Sequence, residues 1–210
     1  MEKEVLESGK AALAGFRYSH SDRRLLRFSG PGIGKIALLS LGLLFTMAAC
    51  SGGTDPSDVS LKAAPNFPFT LYQGEDALGG SNLEIADLQG TPVVLNFWAG
   101  LCPPCRAEMP DLQLFYEEFK DDVTLVGIDV GQYLDLGDRS DAQSLLNDLG
   151  VTYPAGFTKD EKVIRLYEVF GMPTTVFINS KGEIFLQWPG LVSLEVLADV
   201  SNEMLAQKTS

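Results

Sequence analysis

Apolar and polar positions from residue 65 onward repeat with the periods of strands and helices. The runs 93–99 (VVLNFWA) and 123–130 (VTLVGIDV) are continuous, rich in β-branched residues and short enough to be buried strands. Residues 103–120 instead place apolar side chains every three or four positions, which indicates a helix packed on the core. Further elements are predicted as a helical turn at 83–90, helices at 140–149, 161–170 and 193–207, a loop at 131–138, and strands at 174–179 and 183–188.

Two prolines mark the first strand of this region. The segment 65–71 (PNFPFTL) has strand-forming residues, but Pro65 and Pro68 lack the amide hydrogen that a central strand must donate, so a short edge strand is predicted. Strands and helices then alternate until a hairpin around Ser180–Gly182. This order predicts an α/β fold with a central mixed β-sheet flanked by helices, in which parallel βαβ pairs lie beside an antiparallel edge.

The first 49 residues have the layout of a signal peptide that ends in a lipobox. Basic residues precede an uncharged run, IALLSLGLLFTMAAC (36–50), which is short for a bilayer-spanning helix of ~20 residues. MAAC resembles a bacterial lipobox, so cleavage before Cys50 and lipidation of its thiol are expected. An uncleaved anchor, plain secretion and a twin-arginine signal at Arg23 and Arg24 are the alternatives.

Composition separates a tether from a globular domain. Residues 50–64 are rich in Ser, Gly, Asp and Pro, which is typical of a flexible tether, and 65–207 form the predicted domain. Hydrophobic residues make up 45% of the chain, enough for one core. The first 49 residues carry seven Lys and Arg against four Asp and Glu, whereas the rest carries nine against twenty-four. An acidic body repels phosphate backbones, so no nucleic acid partner is expected.

Candidate chemistry centres on two of the three cysteines. Cys102 and Cys105 form a C-x-x-C motif where the first buried strand gives way to a helix. Unpaired amides and the helix dipole favour a thiolate there, so Cys102 is predicted to be an exposed nucleophile and Cys105 the thiol that resolves a mixed disulfide. Pro103 and Pro104 lack amide hydrogens, which leaves the amides of Cys105 and Arg106 as donors to the Cys102 sulfur.

A zinc half-site, a copper carrier and a purely structural disulfide are the alternatives for the C-x-x-C pair. Zinc takes four ligands, but the chain has no second cysteine pair, and its only histidine, His20, precedes Cys50. A copper carrier lacks the same histidine ligands. A disulfide across so short a loop restricts the unfolded chain little. Redox chemistry without a metal or a cofactor is therefore favoured.

The segments FWAGLCPPCRAEMP (97–110) and GMPTTVFINSKGEI (171–184) resemble the thioredoxin-like fold, and within it the anchored bacterial thiol–disulfide oxidoreductases of the TlpA/ResA type. The similarity covers about residues 62–205. It implies one or more extra N-terminal strands and a helical insertion. It also implies an extracytoplasmic, membrane-anchored reductant of protein disulfides, with apocytochrome c or another protein as substrate and a membrane electron donor upstream.

The resemblance implies roles for residues around the pair. It implies a cis Met172–Pro173 bond that faces the disulfide, with the Met172 backbone pairing with an incoming peptide. Glu108, three residues after Cys105, is implied to accept its proton, because Asn96 stands where thioredoxin has an aspartate; a solvated glutamate is the alternative. The implied substrate contacts, with core packing as the alternative for the first, are Trp98, Leu101, Pro103, Pro104, Met172 and Pro173.

Two other functions are compatible with parts of this pattern. A peroxiredoxin-type thiol peroxidase shares the fold, but that chemistry goes with a Thr three residues before the reactive cysteine, where this chain has Ala99. A non-catalytic module that binds a partner protein is the second alternative. Leu101 stands where the oxidoreductases often carry an aromatic residue, which bears on the choice of partner more than on the chemistry.

Overall fold

The computed structural model describes residues 61–208, which fold around a seven-stranded mixed β-sheet. In chain order the strands are β1 (Pro68–Gln73), β2 (Asn82–Glu84), β3 (Val93–Trp98), β4 (Thr124–Asp129), β5 (Ala155–Phe157), β6 (Thr174–Ile178) and β7 (Ile184–Pro189). Across the sheet they follow the order β2-β1-β5-β4-β3-β6-β7. The predicted α/β class with a mixed sheet is confirmed.

Helices cover both faces of this sheet. They are α1 (Glu75–Leu78), α2 (Pro103–Phe119), α3 (Arg139–Leu149), α4 (Lys162–Leu166) and α5 (Leu194–Lys208). Helices α2, α3 and α5 contribute to a core on one face that also contains Cys102 and Cys105. Helix α4 contributes Val163 to the core on the other face, where Phe67 and Tyr167 pack edge to face. The cysteine pair therefore lies against the better covered face.

Strand β3 lies inside the sheet, and all of its side chains are buried. A strand covered on both faces reads as a continuous apolar run, which is why the sequence pattern identifies it. Alternate residues enter different cores: Val94 and Trp98 join the cysteines, whereas Leu95 and Phe97 join the opposite core. β3 pairs in parallel with β4, and β6 pairs antiparallel with β7, as predicted. β3 also pairs antiparallel with β6. The C-x-x-C loop begins where β3 ends.

The first strand is not at the sheet edge, so that prediction is wrong. β1 lies between β2 and β5, and the two edges of the described sheet are β2 and β7. Pro68 is tolerated because it is the first residue of β1, and Pro65 precedes the strand. β2 has only three residues, Asn82–Glu84, too few to give a periodic pattern, and the predicted edge is covered by this unpredicted strand.

Short elements account for the other differences from the sequence prediction. Helix α1 has four residues and β5 has three, and neither was predicted. The predicted helical turn at 83–90 is a 3₁₀ turn over Ile85–Leu88 that follows β2. The helix predicted at 161–170 ends at Leu166, and Glu168 just beyond it has a left-handed backbone with φ of 51°. Elements this short depend on tertiary contacts more than on local pattern.

Residues 62–64 belong to the folded domain rather than to the predicted tether. The amide of Ala64 donates to the carbonyl of Gly182 at 2.9 Å, and the amide of Ile184 donates to the carbonyl of Lys62 at 2.8 Å. The predicted domain boundary is therefore three residues late. Composition could not reveal this, because the hydrogen-bonding partners lie in the distant β6–β7 hairpin.

The predicted signal peptide, the lipobox, Cys50 and residues 50–60 of the tether lie outside the described residues. They remain predictions from the sequence. No helix within residues 61–208 is long and apolar enough to cross a bilayer.

Candidate active site

The two cysteines of the C-x-x-C motif form a disulfide at the amino-terminal end of α2. Cys102 is the N-cap residue of the helix, Cys105 lies in its first turn, and their Cα atoms are 5.3 Å apart. Pro103 and Pro104 occupy the first helical positions, where an amide would have no partner within the helix. Within residues 61–208, no three His, Cys, Asp or Glu side chains are grouped closely enough to hold a metal ion.

One helix amide donates to the Cys102 sulfur. The amide of Cys105 donates to Cys102 Sγ at 3.2 Å, as predicted. The amide of Arg106 instead donates to the carbonyl oxygen of Cys102 at 3.1 Å, so its predicted bond to the sulfur is wrong. The helix ladder takes that amide for its first backbone hydrogen bond. A single amide donor therefore remains to stabilise a thiolate on Cys102.

The Cys102 side chain is buried, contrary to the prediction of an exposed nucleophile. Its relative exposure is 3%, and that of Cys105 is zero. The disulfide bond explains this, because it draws the Cys102 sulfur toward Cys105, which lies inside the core with Met109 and Ala99. An incoming thiolate therefore has little Cys102 surface to approach in the oxidised protein.

Glu108 is a buried carboxyl one helical turn after Cys105. Its exposure is 1%, so the alternative of a solvated helix glutamate is wrong. Oε1 accepts a hydrogen bond from Asn96 Nδ2 at 2.8 Å, and Oε2 accepts one from the amide of Val192 at 3.0 Å. Burial raises the pKa of Glu108 from 4.5 to about 7, because desolvation of the charged form outweighs these two hydrogen bonds. The carboxyl can therefore exchange a proton near neutral pH.

Two partners of Glu108 come from distant parts of the chain. Asn96 lies in β3, and its Nδ2 also donates to Thr175 Oγ1 in β6 at 3.0 Å. Val192 lies between β7 and α5, and only its backbone amide contacts the carboxyl. The sequence marked Asn96 as a departure from thioredoxin but gave no sign of Val192, because any residue except proline can supply an amide.

The turn before β6 has the predicted backbone. The Met172–Pro173 peptide bond is cis. Pro173 is buried and Met172 is partly exposed, and the Pro173 carbonyl accepts a hydrogen bond from the amide of Gly190 at 2.9 Å. The carbonyl of Gly171 accepts one from Thr174 Oγ1 at 2.8 Å. Backbone and side-chain bonds therefore fix both sides of the turn.

Apolar side chains are exposed on two loops of the described chain, one next to Cys102 and one before the Met172–Pro173 turn. Leu101, next to Cys102, is 58% exposed, and Pro103 and Pro104 are also exposed. Phe170, two residues before Met172, is 91% exposed. The sequence prediction did not single out Phe170, because an apolar residue at a predicted helix end reads as part of the core.

Trp98 does not contact the surface, so the prediction that it binds substrate is wrong. Its side chain has no exposed area and packs in the same core as Cys102 and Cys105. It is the last residue of β3, and its side chain lies on the face of the sheet that α2, α3 and α5 cover. The alternative of core packing describes its position.

A C-x-x-C disulfide at a helix N-terminus, with a cis-proline turn at the same end of a mixed sheet, defines a thioredoxin-like redox protein. The AhpC/TSA family model matches residues 61–186. The thiol-disulfide oxidoreductase ResA of Oceanobacillus iheyensis is 34% identical over 149 residues, which cover 70% of this chain and 73% of that protein.

ResA of Bacillus subtilis is 31% identical over 189 residues, which cover 90% of this chain and 97% of that protein. The structure of StoA from Bacillus subtilis matches the fold with a TM-score of 0.55 at 24% identity, covering 66% of this chain and 97% of that one. The chain therefore belongs to the AhpC/TSA family of thioredoxin-like proteins, within which it is a thiol–disulfide oxidoreductase of the ResA type.

Proposed function

We propose that this enzyme exchanges its Cys102–Cys105 disulfide with protein thiols and disulfides outside the cytoplasm, as a lipid-anchored reductant. In this proposal Cys102 is the nucleophile, Cys105 the resolving thiol and Glu108 the proton acceptor. The observation that carries these roles is the buried Glu108 carboxyl, one turn after Cys105, with its pKa raised to about 7 by burial. A base with a pKa near the working pH is the most effective one.

The exchange proceeds in two steps. The Cys102 thiolate attacks one sulfur of the substrate disulfide, forms a mixed disulfide with it, and expels the other substrate sulfur as a thiolate that takes up a proton. Cys105 then gives its proton to Glu108 and attacks Cys102 Sγ, which closes the Cys102–Cys105 bond and releases the first substrate sulfur as a thiolate. Two electrons pass to the substrate, and an upstream dithiol must return them.

The exposed apolar residues near the site favour a protein partner. Leu101 and Phe170 present apolar surface on the loops before α2 and before β6. Between them in this proposal an extended peptide pairs with the backbone of Met172, which brings its cysteine toward Cys102. Pro103, Pro104 and Pro173 contact the substrate in this proposal and do not react.

The location and the direction rest on the sequence. The leader with its lipobox supports attachment through Cys50, which keeps the domain beside a membrane electron donor. The resemblance to ResA-type proteins supports reduction of apocytochrome c or of another protein disulfide. Potentials of C-x-x-C proteins span roughly 150 mV, so the direction depends on the potential of the partner as well as on this site.

Covalent trapping tests the roles of the two cysteines. Cys105→Ser should leave the natural partner attached to Cys102, detected as a higher-mass species that a reductant dissolves, while Cys102→Ser should trap nothing. Trapping through Cys105 in the Cys102→Ser variant would reverse the assignment.

Insulin reduction tests the reaction class with the same purified protein. The unmodified chain, supplied with a dithiol donor, should reduce insulin disulfides, and the double variant Cys102→Ser, Cys105→Ser should not. Full cellular function of the double variant would favour a binding module. Rapid peroxide consumption without a protein substrate would favour a thiol peroxidase.

A further inference from the structure

A second buried carboxyl lies at the end of the strand next to β3. Asp129 is the last residue of β4, opposite Trp98 in the ladder, and is 1% exposed. Its Oδ2 accepts a hydrogen bond from the Tyr72 hydroxyl of β1 at 3.0 Å, and its Oδ1 accepts one from the amide of Gly131 at 3.0 Å. Asp129 takes no part in the proposed exchange between Cys102 and Cys105.

A short path of hydrogen bonds joins Asp129 to the residue before Cys102. Gly131, whose amide binds Asp129, accepts a hydrogen bond at its carbonyl from the amide of Leu136 at 3.0 Å. The carbonyl of Leu136 accepts one from the amide of Leu101 at 2.8 Å. Residues 131–138, here called the insertion loop, thus connect the carboxyl to the start of the C-x-x-C motif.

The insertion loop also touches this part of the chain directly. A Cβ at Gly131 would lie 3.0 Å from the Cβ of Ala99, and a Cβ at Gly137 would lie 2.9 Å from Cγ of Leu101. Gly137 has a φ of 106°, a backbone conformation that is unfavourable for a residue with a side chain. The insertion loop and residues 99–101 are therefore close enough for a displacement of the loop to move Leu101.

The charge of Asp129 is sensitive to pH. Burial raises its pKa from 3.8 to about 6, against the hydrogen bonds from Gly131 and Tyr72, which lower it. Two charged groups near the start of α3 also act on the carboxyl: Arg139 lowers its pKa, and Asp138 raises it. Asp129 therefore changes charge between weakly acidic and neutral pH.

We propose that Asp129 is a positioning residue for thiol exchange: as a carboxylate it holds the insertion loop against Leu101 and restricts access to the Cys102 sulfur, and protonation relaxes this restraint. The inference rests on exchange at the cysteine pair and is independent of the partner and of the direction of electron flow. It would make Cys102, a residue with 3% exposure, more reachable to an incoming thiolate.

Protonation weakens this arrangement for a chemical reason. A carboxylate accepts hydrogen bonds at both oxygens, and charge-assisted bonds are roughly twice as strong as neutral ones. Both partners of Asp129 donate, and the amide of Gly131 cannot accept. A proton on Oδ1 would face that amide, and a proton on Oδ2 would require the Tyr72 hydroxyl to turn. In both cases the hydrogen bond from the Gly131 amide loses its charge-assisted strength or its acceptor, which weakens the contact between Asp129 and the insertion loop.

The first experiment measures the rate at which dithiothreitol reduces the disulfide of the full chain between pH 5 and 8. Each rate is divided by the concentration of dithiothreitol thiolate at that pH. The Glu108→Gln background removes the titration of the other buried carboxyl. The rate constant should fall about 3- to 10-fold as Asp129 ionises, in line with the strengthening of one hydrogen bond. Asp129→Asn should keep the faster rate at every pH.

Two tyrosine variants separate the carboxyl from the general stability of the insertion loop. Tyr72→Phe removes a donor to Asp129, so the midpoint of the pH profile should move to higher pH. Tyr133→Phe is the matched control, because its hydroxyl donates to the Thr158 carbonyl at 3.1 Å and the midpoint should stay in place. A pH step that persists in Asp129→Asn, or an equal shift in both tyrosine variants, overturns the proposal.

Amide hydrogen exchange gives a readout that does not need thiol chemistry. In the oxidised full chain, protection of the Leu101 and Gly131 amides should fall about 3- to 10-fold below the midpoint, and stay low in Asp129→Asn. Unchanged protection in Asp129→Asn overturns the positioning role even if the cysteines exchange normally. Should Asp129→Asn fail to fold, the Tyr72→Phe shift of the same amides decides the question.

Discussion

The buried acid near the cysteine pair is Glu108 on α2, and Asn96 on β3 is its hydrogen-bond donor. Asn96 donates to Glu108 Oε1 at 2.8 Å, so an aspartate at position 96 would place two carboxyls in contact. Two acids this close cannot both ionise without a large cost, and an amide avoids the conflict. The carboxyl therefore lies on α2, one turn from Cys105, and the strand supplies its hydrogen-bond donor.

The role of Glu108 predicts a slow second step in Glu108→Gln. Release of a labelled peptide from its mixed disulfide with Cys102 should slow about 100-fold at pH 8, since a positioned base contributes roughly 10²- to 10⁴-fold. In the unmodified protein the release rate should rise with pH through about 7, where Glu108 ionises. Rapid-mixing fluorescence measures both.

Glu118→Gln is the matched control, because Glu118 is exposed on the same helix. It should leave the rate and the pH profile unchanged. Wild-type release with a wild-type profile in Glu108→Gln would remove Glu108 from the mechanism.

Helix α2 and the β6–β7 hairpin determine the geometry of the site at the level of elements. The helix begins directly after Cys102, and its two initial prolines occupy positions that need no amide donor. Residues 62–64 are hydrogen-bonded to the hairpin: the amide of Ala64 donates to the carbonyl of Gly182, and the amide of Ile184 donates to the carbonyl of Lys62. The folded domain therefore starts earlier than a tether that ends at 64 would allow.

Removal of residues 61–64 is expected to destabilise the domain. A chain that starts at Pro65 should have a free energy of unfolding about 1–3 kcal/mol lower than one that starts at Leu61, because two backbone hydrogen bonds contribute ~0.5–1.5 kcal/mol each. Urea denaturation of the two chains provides the comparison. Equal midpoints and slopes would mean that these bonds add nothing in solution.

Two buried acids make the stability of the whole molecule depend on pH. The chain has a formal net charge of −12, and Glu108 and Asp129 are each buried within it. Both have folded-state pKa values above their ordinary ones, about 7 and about 6. The folded protein therefore holds protons that the unfolded chain has already released, and its stability is greatest at the acidic side of this window.

The stability of the unmodified protein should fall as the pH rises from about 4.5 to about 7, the interval between the unfolded and folded pKa values of Glu108. Glu108→Gln removes this contribution. It should therefore be more stable than the unmodified protein at pH 8, by about 3 kcal/mol, and show little difference at pH 4. Urea unfolding at the two pH values measures this. A variant that loses stability equally at both would contradict a neutral Glu108 in the folded state.

The pattern of apolar residues along the chain was sufficient to predict the longer buried strands and the start of α2. β3, β4 and β6 were recognisable because strands covered on both faces are continuous apolar runs. The start of α2 and the C-x-x-C pair followed from adjacent residues. β2 and β5 were missed because three residues carry no period, and their formation depends on β1.

The sequence by itself determined the sheet-and-helix class, the cysteine pair and the acid that follows it, because these depend on spacing along the chain. Tertiary structure decided that Cys102 is buried and that Trp98 is a core residue. It also decided which groups surround the two acids: Tyr72 meets Asp129 across 57 positions, and Val192 meets Glu108 across 84. Exposure and pKa are set by such distant neighbours, through desolvation and hydrogen bonds that exist only once the chain has folded.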